Sequence, residues 1–200
     1  YPNNKAIVLD DIRVALEKFD AWQQAIGNER RRVEYSDWQI PKERYYSEKH
    51  IKEEIENHAL FPFYEQNGAS NPEKLFKQFL IDNADKIKYW YKNGDSGREH
   101  FAIDYVDSNG VKRLFYVDFI VVTMDNRIGL FDTKTLKSDI VDANKHNVLR
   151  KWMRNNGEQY FGGILIPVET AGVWKFYYSN FDLEENKYID TTTGFTDLRF

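Results

Sequence analysis

Two apolar stretches separated by a short polar turn lie near the middle of the chain. Residues 115–123 and 127–134 are rich in aromatic and β-branched side chains, and only residues 124–126 separate them. Turn-forming residues between two such stretches predict a short β-hairpin. If this hairpin is symmetric about Asp125, the numbers of the residues that face each other across it sum to 250.

This symmetric register places four pairs of side chains on one face of the hairpin. The pairs are Val122 with Ile128, Ile120 with Leu130, Asp118 with Asp132, and Tyr116 with Lys134. Opposed residues have Cβ atoms about 4.5–5.5 Å apart, and like charges at that distance destabilise a sheet. A divalent cation held by both aspartates would offset the repulsion, and Lys134 would lie near a water bound to it. The alternative is a solvated strand end with ordinary surface charges.

Apolar periodicity predicts two helices after residue 70. The first begins with Asn71 as its N-cap and Pro72 at the first helical position, after a break over residues 67–72. Its buried stripe consists of Leu75, Phe76, Phe79 and Leu80. The second helix is predicted over residues 138–156, with Ser138 as its cap.

Strand patterns fill the rest of this region. They cover residues 86–92, 101–107, 111–123, 161–167 and 173–178, and an Asn-Gly turn joins the second of these strands to the third. The acidic, aromatic tail over residues 180–200 is predicted to pack on the outside of the domain.

A separate organisation is predicted for the first 70 residues. Residues 4–27 show helical periodicity, residues 28–57 are highly charged and indicate a linker with a surface helix, and residues 58–64 indicate an edge strand. We therefore divide the chain into a helical appendage over residues 1–70 and a second domain over residues 71–200. Because the sequence begins with tyrosine rather than methionine, we expect it to be a piece of a longer protein.

Composition excludes several classes of protein. An aromatic content of 16% argues against disorder, and the absence of cysteine excludes disulfides and thiolate zinc sites. The four histidines show no metal-ligand spacing and are interpreted as structural or surface residues; they are His50, His58, His100 and His146. No apolar stretch approaches the roughly 18–20 residues of a membrane span, and no signal peptide is visible, so we expect no membrane partner and a cytoplasmic location.

The net charge of −4 is unevenly distributed along the chain. Residues 71–157 carry 15 basic and 12 acidic side chains, whereas the segments on either side are both net negative. Six basic side chains and two acidic ones fall between Lys134 and Arg154. A basic stretch beside an acidic metal site is what binding of a phosphodiester needs. The alternative is a solvated helix face.

Four blocks of sequence, in order, resemble the PD-(D/E)XK nuclease superfamily. They are residues 71–80, 87–93, 115–119 and 131–135, and they are most similar to the C-terminal endonuclease domain of type III restriction subunits and related helicase-nucleases. The resemblance covers residues 71–178. Two positions depart from the usual pattern, because Val117 stands where proline is usual and Asp132 stands where glutamate is commoner.

The resemblance implies an α/β fold with a restriction-endonuclease-like mixed central sheet flanked by helices, to which the N-terminal helical appendage is added. It also implies Mg²⁺-dependent hydrolysis of DNA, with Mn²⁺ as a substitute ion. Asp118, Asp132 and the backbone carbonyl of Thr133 would hold the ion. Lys134 would orient the attacking water and stabilise the charge that builds on phosphorus.

Two further residues have both a structural and a functional interpretation. Glu73 either interacts with the dipole of its helix or, as the resemblance implies, helps to order the metal site from the first core helix. Lys145 lies within the apolar arc of the second helix. It either extends its ammonium group outward along its stem or contacts the scissile phosphate or an acidic ligand.

Three functions are compatible with these features. The first is a nuclease that acts on DNA with a helicase or ATPase region of the same or a partner chain, in which case residues 1–70 would be the tail of that region. The second is a nuclease fold that has lost catalysis and serves in DNA binding or protein docking. The third is a ligand-sensing α/β domain, for which no convergent polar pocket is visible.

Overall fold

A mixed six-stranded sheet lies at the centre of the fold. The computed structural model describes residues 38–42, 50–53, 55–60, 63–66, 69–97, 100–107 and 109–200. Within the chain, Trp38–Phe200 forms one compact unit. The predicted boundary at residue 70 stays a prediction, and the predicted helix over residues 4–27 lies outside the described residues.

The described residues form two α-helices and twelve strands. The helices are α1 (Asn71–Asp82) and α2 (Ala143–Asn156). The strands are β1 (His50–Glu53), β2 (Phe63–Gln66), β3 (Ile87–Lys92), β4 (Ala102–Val106), β5 (Lys112–Tyr116), β6 (Phe119–Thr123), β7 (Ile128–Thr133), β8 (Ile140–Val141), β9 (Tyr160–Thr170), β10 (Val173–Tyr178), β11 (Lys187–Tyr188) and β12 (Thr196–Asp197).

The strand order of the central sheet is β12-β10-β9-β7-β6-β3. Its neighbouring strands pair antiparallel except β7 and β9, which run parallel. A parallel pair needs a crossover connection, and α2 supplies it. The predicted mixed α/β architecture is therefore confirmed. No helix among the described residues has the length and apolar character needed to cross a membrane.

The predicted central hairpin is confirmed in its register. Strands β6 and β7 pair Val122 with Ile128 and Ile120 with Leu130, as the symmetry about Asp125 requires. This ladder ends at the pair Phe119 and Phe131, so Asp118 does not pair with Asp132 as predicted, and the predicted pairing of Tyr116 with Lys134 is also wrong. Tyr116 pairs instead with Ala102 in the separate β4–β5 hairpin. The predicted strand over residues 111–123 is thus two strands, interrupted at Val117 and Asp118.

Helix α1 begins one residue earlier than its sequence signals suggest. Ser70, not Asn71, is the N-cap, and its hydroxyl accepts from the Glu73 N–H while Glu73 accepts from the Ser70 N–H. This capping box satisfies two backbone donors that would otherwise have no partner. The side chains of Phe76 and Leu80 are fully buried, as expected, whereas Leu75 and Phe79 are half-buried.

Phe76 connects α1 to the centre of the sheet. Its ring centroid lies 5.0 Å from that of Phe119, 5.4 Å from that of Phe131 and 5.4 Å from that of Phe176. Aromatic pairs prefer such tilted and edge-on contacts, and each ring buries a large apolar surface. The packing therefore holds the start of β6 and the end of β7 against one helix.

Helix α2 begins five residues later than predicted. Asp142 is its N-cap and accepts from two backbone N–H groups, so the expected cap at Ser138 is wrong. The preceding residues Ile140 and Val141 form a strand that pairs with β11. This pairing withdraws both residues from the predicted helix and leaves the side chain of Ile140 exposed.

The C-terminal residues are part of the fold rather than an outer layer. Strand β12 forms an edge of the central sheet, and Leu183, Ile189 and Leu198 are buried. The N-terminal part of the described chain also differs from its prediction. His50–Glu53 pairs with Phe63–Gln66 in a small antiparallel sheet, where a linker and then an edge strand were expected.

Candidate functional site

The interruption between β5 and β6 is fixed by Asn93, which follows β3. The backbone N–H of Asn93 donates to the Asp118 carbonyl at 2.9 Å. Its buried amide donates to the carbonyls of Phe101 at 2.7 Å and Val117 at 2.8 Å and accepts from the Phe101 N–H at 3.1 Å. One side chain thereby ties three segments together and holds Asp118 beyond the end of the regular ladder.

The Asp118 carboxylate is held by Thr133 on the neighbouring strand. Its Oδ2 accepts from the Thr133 N–H at 2.6 Å and from the Thr133 hydroxyl at 2.7 Å. Burial and, second, the nearby Asp132 carboxylate raise the pKa of Asp118 to about 6. The charge of Lys92 and the Thr133 hydrogen bond act in the opposite direction. Asp118 is therefore ionised at neutral pH against an electrostatic cost.

Asp132 forms an ion pair with the ammonium group of Lys134. Lys134 Nζ donates to Asp132 Oδ1 at 2.9 Å, lies 2.9 Å from Oδ2, and donates to the Thr133 carbonyl at 3.2 Å. Burial lowers the pKa of Lys134. The carboxylates of Asp132 and, second, Asp118 raise it by more than burial lowers it, so the pKa of Lys134 lies above its ordinary value. A positive charge thus rests on two of the three predicted metal ligands.

Glu73 enters the site through Lys92, a residue to which the sequence analysis gave no role. Glu73 Oε1 accepts from Lys92 Nζ, and Oε2 accepts from the Ser70 N–H at 2.6 Å. Burial raises the pKa of Glu73, but the Lys92 charge and hydrogen bonds bring it below the ordinary value. The charge of Glu73 also raises the pKa of Asp118. Glu73 therefore closes the capping box of α1 and also belongs to this charged cluster.

Lys145 lies against the β4–β5 hairpin. Its Nζ is 5.7 Å from the ring centroid of Tyr105 and 5.9 Å from that of Phe115. A cation over aromatic faces is stabilised by the ring quadrupoles. The structure thus gives Lys145 aromatic partners, and none of its described contacts is with Glu73, Asp118 or Asp132.

The described histidine side chains have structural contacts. His58, His100 and His146 are buried. The ring of His58 accepts from the Lys92 N–H at 3.2 Å, and His146 Nε2 lies 2.8 Å from the Phe181 carbonyl. These contacts support the structural interpretation of the three residues.

The charged cluster comprises Glu73, Lys92, Asp118, Asp132 and Lys134. Its three carboxylates and two ammonium groups carry a net charge of −1 when all are ionised. In the part of the chain that the structure describes, no group of three or more histidine, aspartate or glutamate side chains is arranged to hold a metal ion. The available donors are the oxygens of Asp118 and Asp132 and the Thr133 carbonyl, which are hard ligands suited to Mg²⁺ or Mn²⁺.

A cavity of about 350 Å³ lies elsewhere on the surface. Its lining includes Arg150, Arg154 and the first residues of β9. Because β9 runs parallel to β7, this cavity is at the opposite end of the two strands from Asp132. Both arginines are paired with Asp182, so the cavity does not present two unpaired guanidinium groups.

Comparison with protein-family models found no matching family, and comparison with curated proteins and with solved structures found no significant match. The resemblance of the four sequence blocks to PD-(D/E)XK nucleases therefore stays a prediction. The function of the chain has to follow from the geometry of its side chains.

Proposed function

We propose that this domain is a metal-dependent endonuclease that hydrolyses phosphodiester bonds in DNA, as part of a restriction or helicase-nuclease protein. The observation that carries the proposal is the proximity of the Asp118 and Asp132 carboxylates just beyond the end of the β6–β7 ladder. There, burial and mutual repulsion raise the pKa of Asp118 to about 6. Strained carboxylates of this kind concentrate at functional sites, because a stable fold gains nothing from them.

The donor set supports a divalent cation as the cofactor. Asp118, Asp132 and the Thr133 carbonyl would hold Mg²⁺, with Mn²⁺ as a substitute. The Lys134 ammonium already contacts two of these groups, so it has to leave them when an ion binds. When bound, the ion would polarise the phosphate and lower the pKa of a coordinated water.

The protein groups around this position have separate roles. Thr133 fixes the orientation of the Asp118 carboxylate through its N–H and hydroxyl, so little rearrangement is needed when the ion binds. Lys134 moves from Asp132 towards the phosphate, where its ammonium orients the water and stabilises the charge that develops on phosphorus. The fold suits this arrangement, because a hairpin followed by a helical crossover to a parallel strand places both aspartates at one end of the sheet.

The proposed substrate is supported by basic residues that follow Lys134. Lys137 and Lys151 are exposed, and Lys145 is half-buried over aromatic rings. Arg150 and Arg154, in the same basic stretch, are paired with Asp182 and contribute less to an attractive field for DNA. The expected helicase or ATPase partner and the cytoplasmic location remain part of the proposal.

Nicking of supercoiled plasmid in Mg²⁺ tests the proposed function. We expect the wild type to nick the plasmid and Asp132→Ala to lose roughly 100-fold or more of that activity, the scale of losing an electrostatic contact to a transition state. Asp85→Ala is the matched control, because Asp85 is an exposed aspartate outside the site. Equal nicking by wild type and Asp132→Ala, with both proteins folded, would remove the proposed site.

One observation favours the second candidate, a nuclease fold without catalysis that binds DNA or docks a protein. Thr133 and Lys134 already satisfy the two aspartates, so the fold does not need an ion to keep them together. A protein of this kind would bind DNA equally well in EDTA and in Mg²⁺ and would not nick it. The nicking assay therefore separates the two candidates.

A further inference from the structure

Lys92 is a half-buried lysine whose position is closely defined. Its side chain is 18% exposed, contacts Glu73 and lies 4.9 Å from the centroid of the Phe119 ring. Its backbone N–H donates to the ring of His58. Lysine is among the residues least often withdrawn from water, because its rotamer freedom and hydration are both lost on burial.

The sheet places the backbone of Lys92 and Asn93 beside that of Asp118 and Phe119. Lys92 on β3 pairs directly with Phe119 on β6, and Phe119 follows Asp118. The next residue, Asn93, donates its N–H to the Asp118 carbonyl. The charge of Lys92 lowers the pKa of Asp118, so it acts across the site. Lys92 on β3 therefore acts on Asp118, whereas Lys134, which follows β7, contacts Asp132.

The contact with Glu73 does not by itself explain why a lysine is held here. Glu73 already closes the capping box of α1, a role that glutamine fills equally well. Partly exposed ion pairs contribute little to stability, and apolar residues often replace buried pairs without loss. A lysine beside a site for a phosphodiester has a functional explanation instead.

We propose that Lys92 is a second phosphate-binding residue, which leaves Glu73 and contacts a non-bridging oxygen of the scissile phosphate opposite Lys134. The inference rests on the proposed nuclease function. Lys92 would then make the phosphate contact that was one of the two expectations for Lys145, whose ammonium lies over the Tyr105 and Phe115 rings.

The charges of the site fit this assignment. With all five groups ionised, the cluster carries −1, and a divalent cation brings it to +1. A phosphodiester carries one negative charge, so the loaded site is neutral. Without Lys92 the same complex would carry −1, and an uncompensated charge in a partly buried site opposes binding of an anion.

Cleavage kinetics of four variants test the inference. We expect Lys92→Met to lower kcat/KM for plasmid nicking by about 10- to 100-fold, the effect of losing one hydrogen bond to a charged group. We expect Lys92→Arg to keep activity within about fivefold of the wild type, because the charge remains. Glu73→Gln keeps the capping box and frees Lys92, so its loss should be clearly smaller than that of Lys92→Met. Lys88→Met is the control, since Lys88 is an exposed lysine on the same strand.

DNA affinity as a function of salt gives a readout that a purely structural lysine would not change. The association constant for DNA falls with salt, so the slope of its logarithm against log salt is negative. Losing one phosphate contact should make this slope less negative by about 0.9 for Lys92→Met and leave it unchanged for Lys88→Met. Thermal unfolding establishes that each variant is folded, and Lys92→Gln replaces Lys92→Met if the latter is not.

Each outcome has a defined meaning. If the wild type nicks plasmid but Lys92→Met and Glu73→Gln lose equal amounts of kcat/KM, the Lys92–Glu73 ion pair is structural and this inference is wrong. A salt slope that is unchanged in Lys92→Met has the same meaning. Absence of nicking by the folded wild type would overturn the proposed function and this inference with it.

Discussion

Replacing Asp118 with asparagine should stabilise the protein while it abolishes nicking. The ordinary carboxyl pKa of 3.8 is raised to about 6 by burial and by Asp132. That difference of about two units corresponds to an upper value of about 3 kcal/mol spent on keeping Asp118 ionised in the folded state. Asparagine removes the charge, and its Oδ1 can still accept from the Thr133 N–H and hydroxyl.

The gain from Asp118→Asn should depend on pH with a definite sign. Because the folded-state pKa is raised, the folded protein binds a proton between pH 3.8 and about 6 that the unfolded chain does not. The contribution of this group to stability is therefore lost as pH rises through that window. The advantage of the variant should be close to zero near pH 4 and reach its full value above about pH 6.

Urea unfolding followed by tryptophan fluorescence measures this difference. We expect the free energy of unfolding of Asp118→Asn to exceed that of the wild type by about 2–3 kcal/mol at pH 8. Asp85→Asn is the matched control and should differ little from the wild type at any pH. A variant that is less stable than the wild type at pH 8, or a difference that does not change with pH, would refute the electrostatic strain assigned to Asp118.

Two further predictions concern the scaffold of the site. Asn93→Ala should lower the free energy of unfolding by about 2–4 kcal/mol, because three buried hydrogen bonds to the backbone are lost, and chemical denaturation should show a much smaller effect for the exposed Asn156→Ala. Gly163→Ala should be strongly destabilising, since φ is 137° and a Cβ would lie 2.6 Å from the Ser179 carbonyl oxygen. At Gly172 φ is 79°, but a Cβ there would lie in open space, so Gly172→Ala should lower the free energy of unfolding by only about 1 kcal/mol in thermal or urea melts. Equal losses of stability at both glycines would contradict the close packing around Gly163.

The central hairpin could be predicted because its determinants are local. A three-residue turn between two stretches rich in aromatic and β-branched side chains indicated which residues of β6 and β7 face each other, and the observed pairs agree with the symmetry about Asp125. The second hairpin, across the Asn-Gly turn, was predictable for the same reason. The strands predicted over residues 161–167 and 173–178 also follow from short-range pattern, and they correspond to β9 and β10.

The parts of the fold that were missed depend on contacts distant in sequence. Helix α2 starts late because Ile140 pairs with Tyr188, 48 residues away, and no local signal marks that strand. The interruption before Asp118 depends on the side chain of Asn93. The cap at Ser70, in contrast, has a local signal, the Ser-x-x-Glu spacing of Ser70 and Glu73.

The candidate site was predicted in part for the same physical reason. Asp118, Asp132 and Lys134 could be brought together by counting along one hairpin. The contact of Lys92 with Glu73 joins β3 to the first turn of α1. The sequence places the two residues in separate blocks that resemble the same superfamily, but it does not indicate that they touch. The partners of Lys145 lie on the β4–β5 hairpin, which helical periodicity alone does not identify.

Calorimetric titration of the protein with Mg²⁺, repeated with Mn²⁺, tests most directly whether Asp118 and Asp132 form a cation site. We expect the wild type to give saturable heat with one ion bound per chain, and Asp132→Ala to give only the heat of dilution. No saturable heat in the wild type, or the same isotherm in both proteins, would contradict the account.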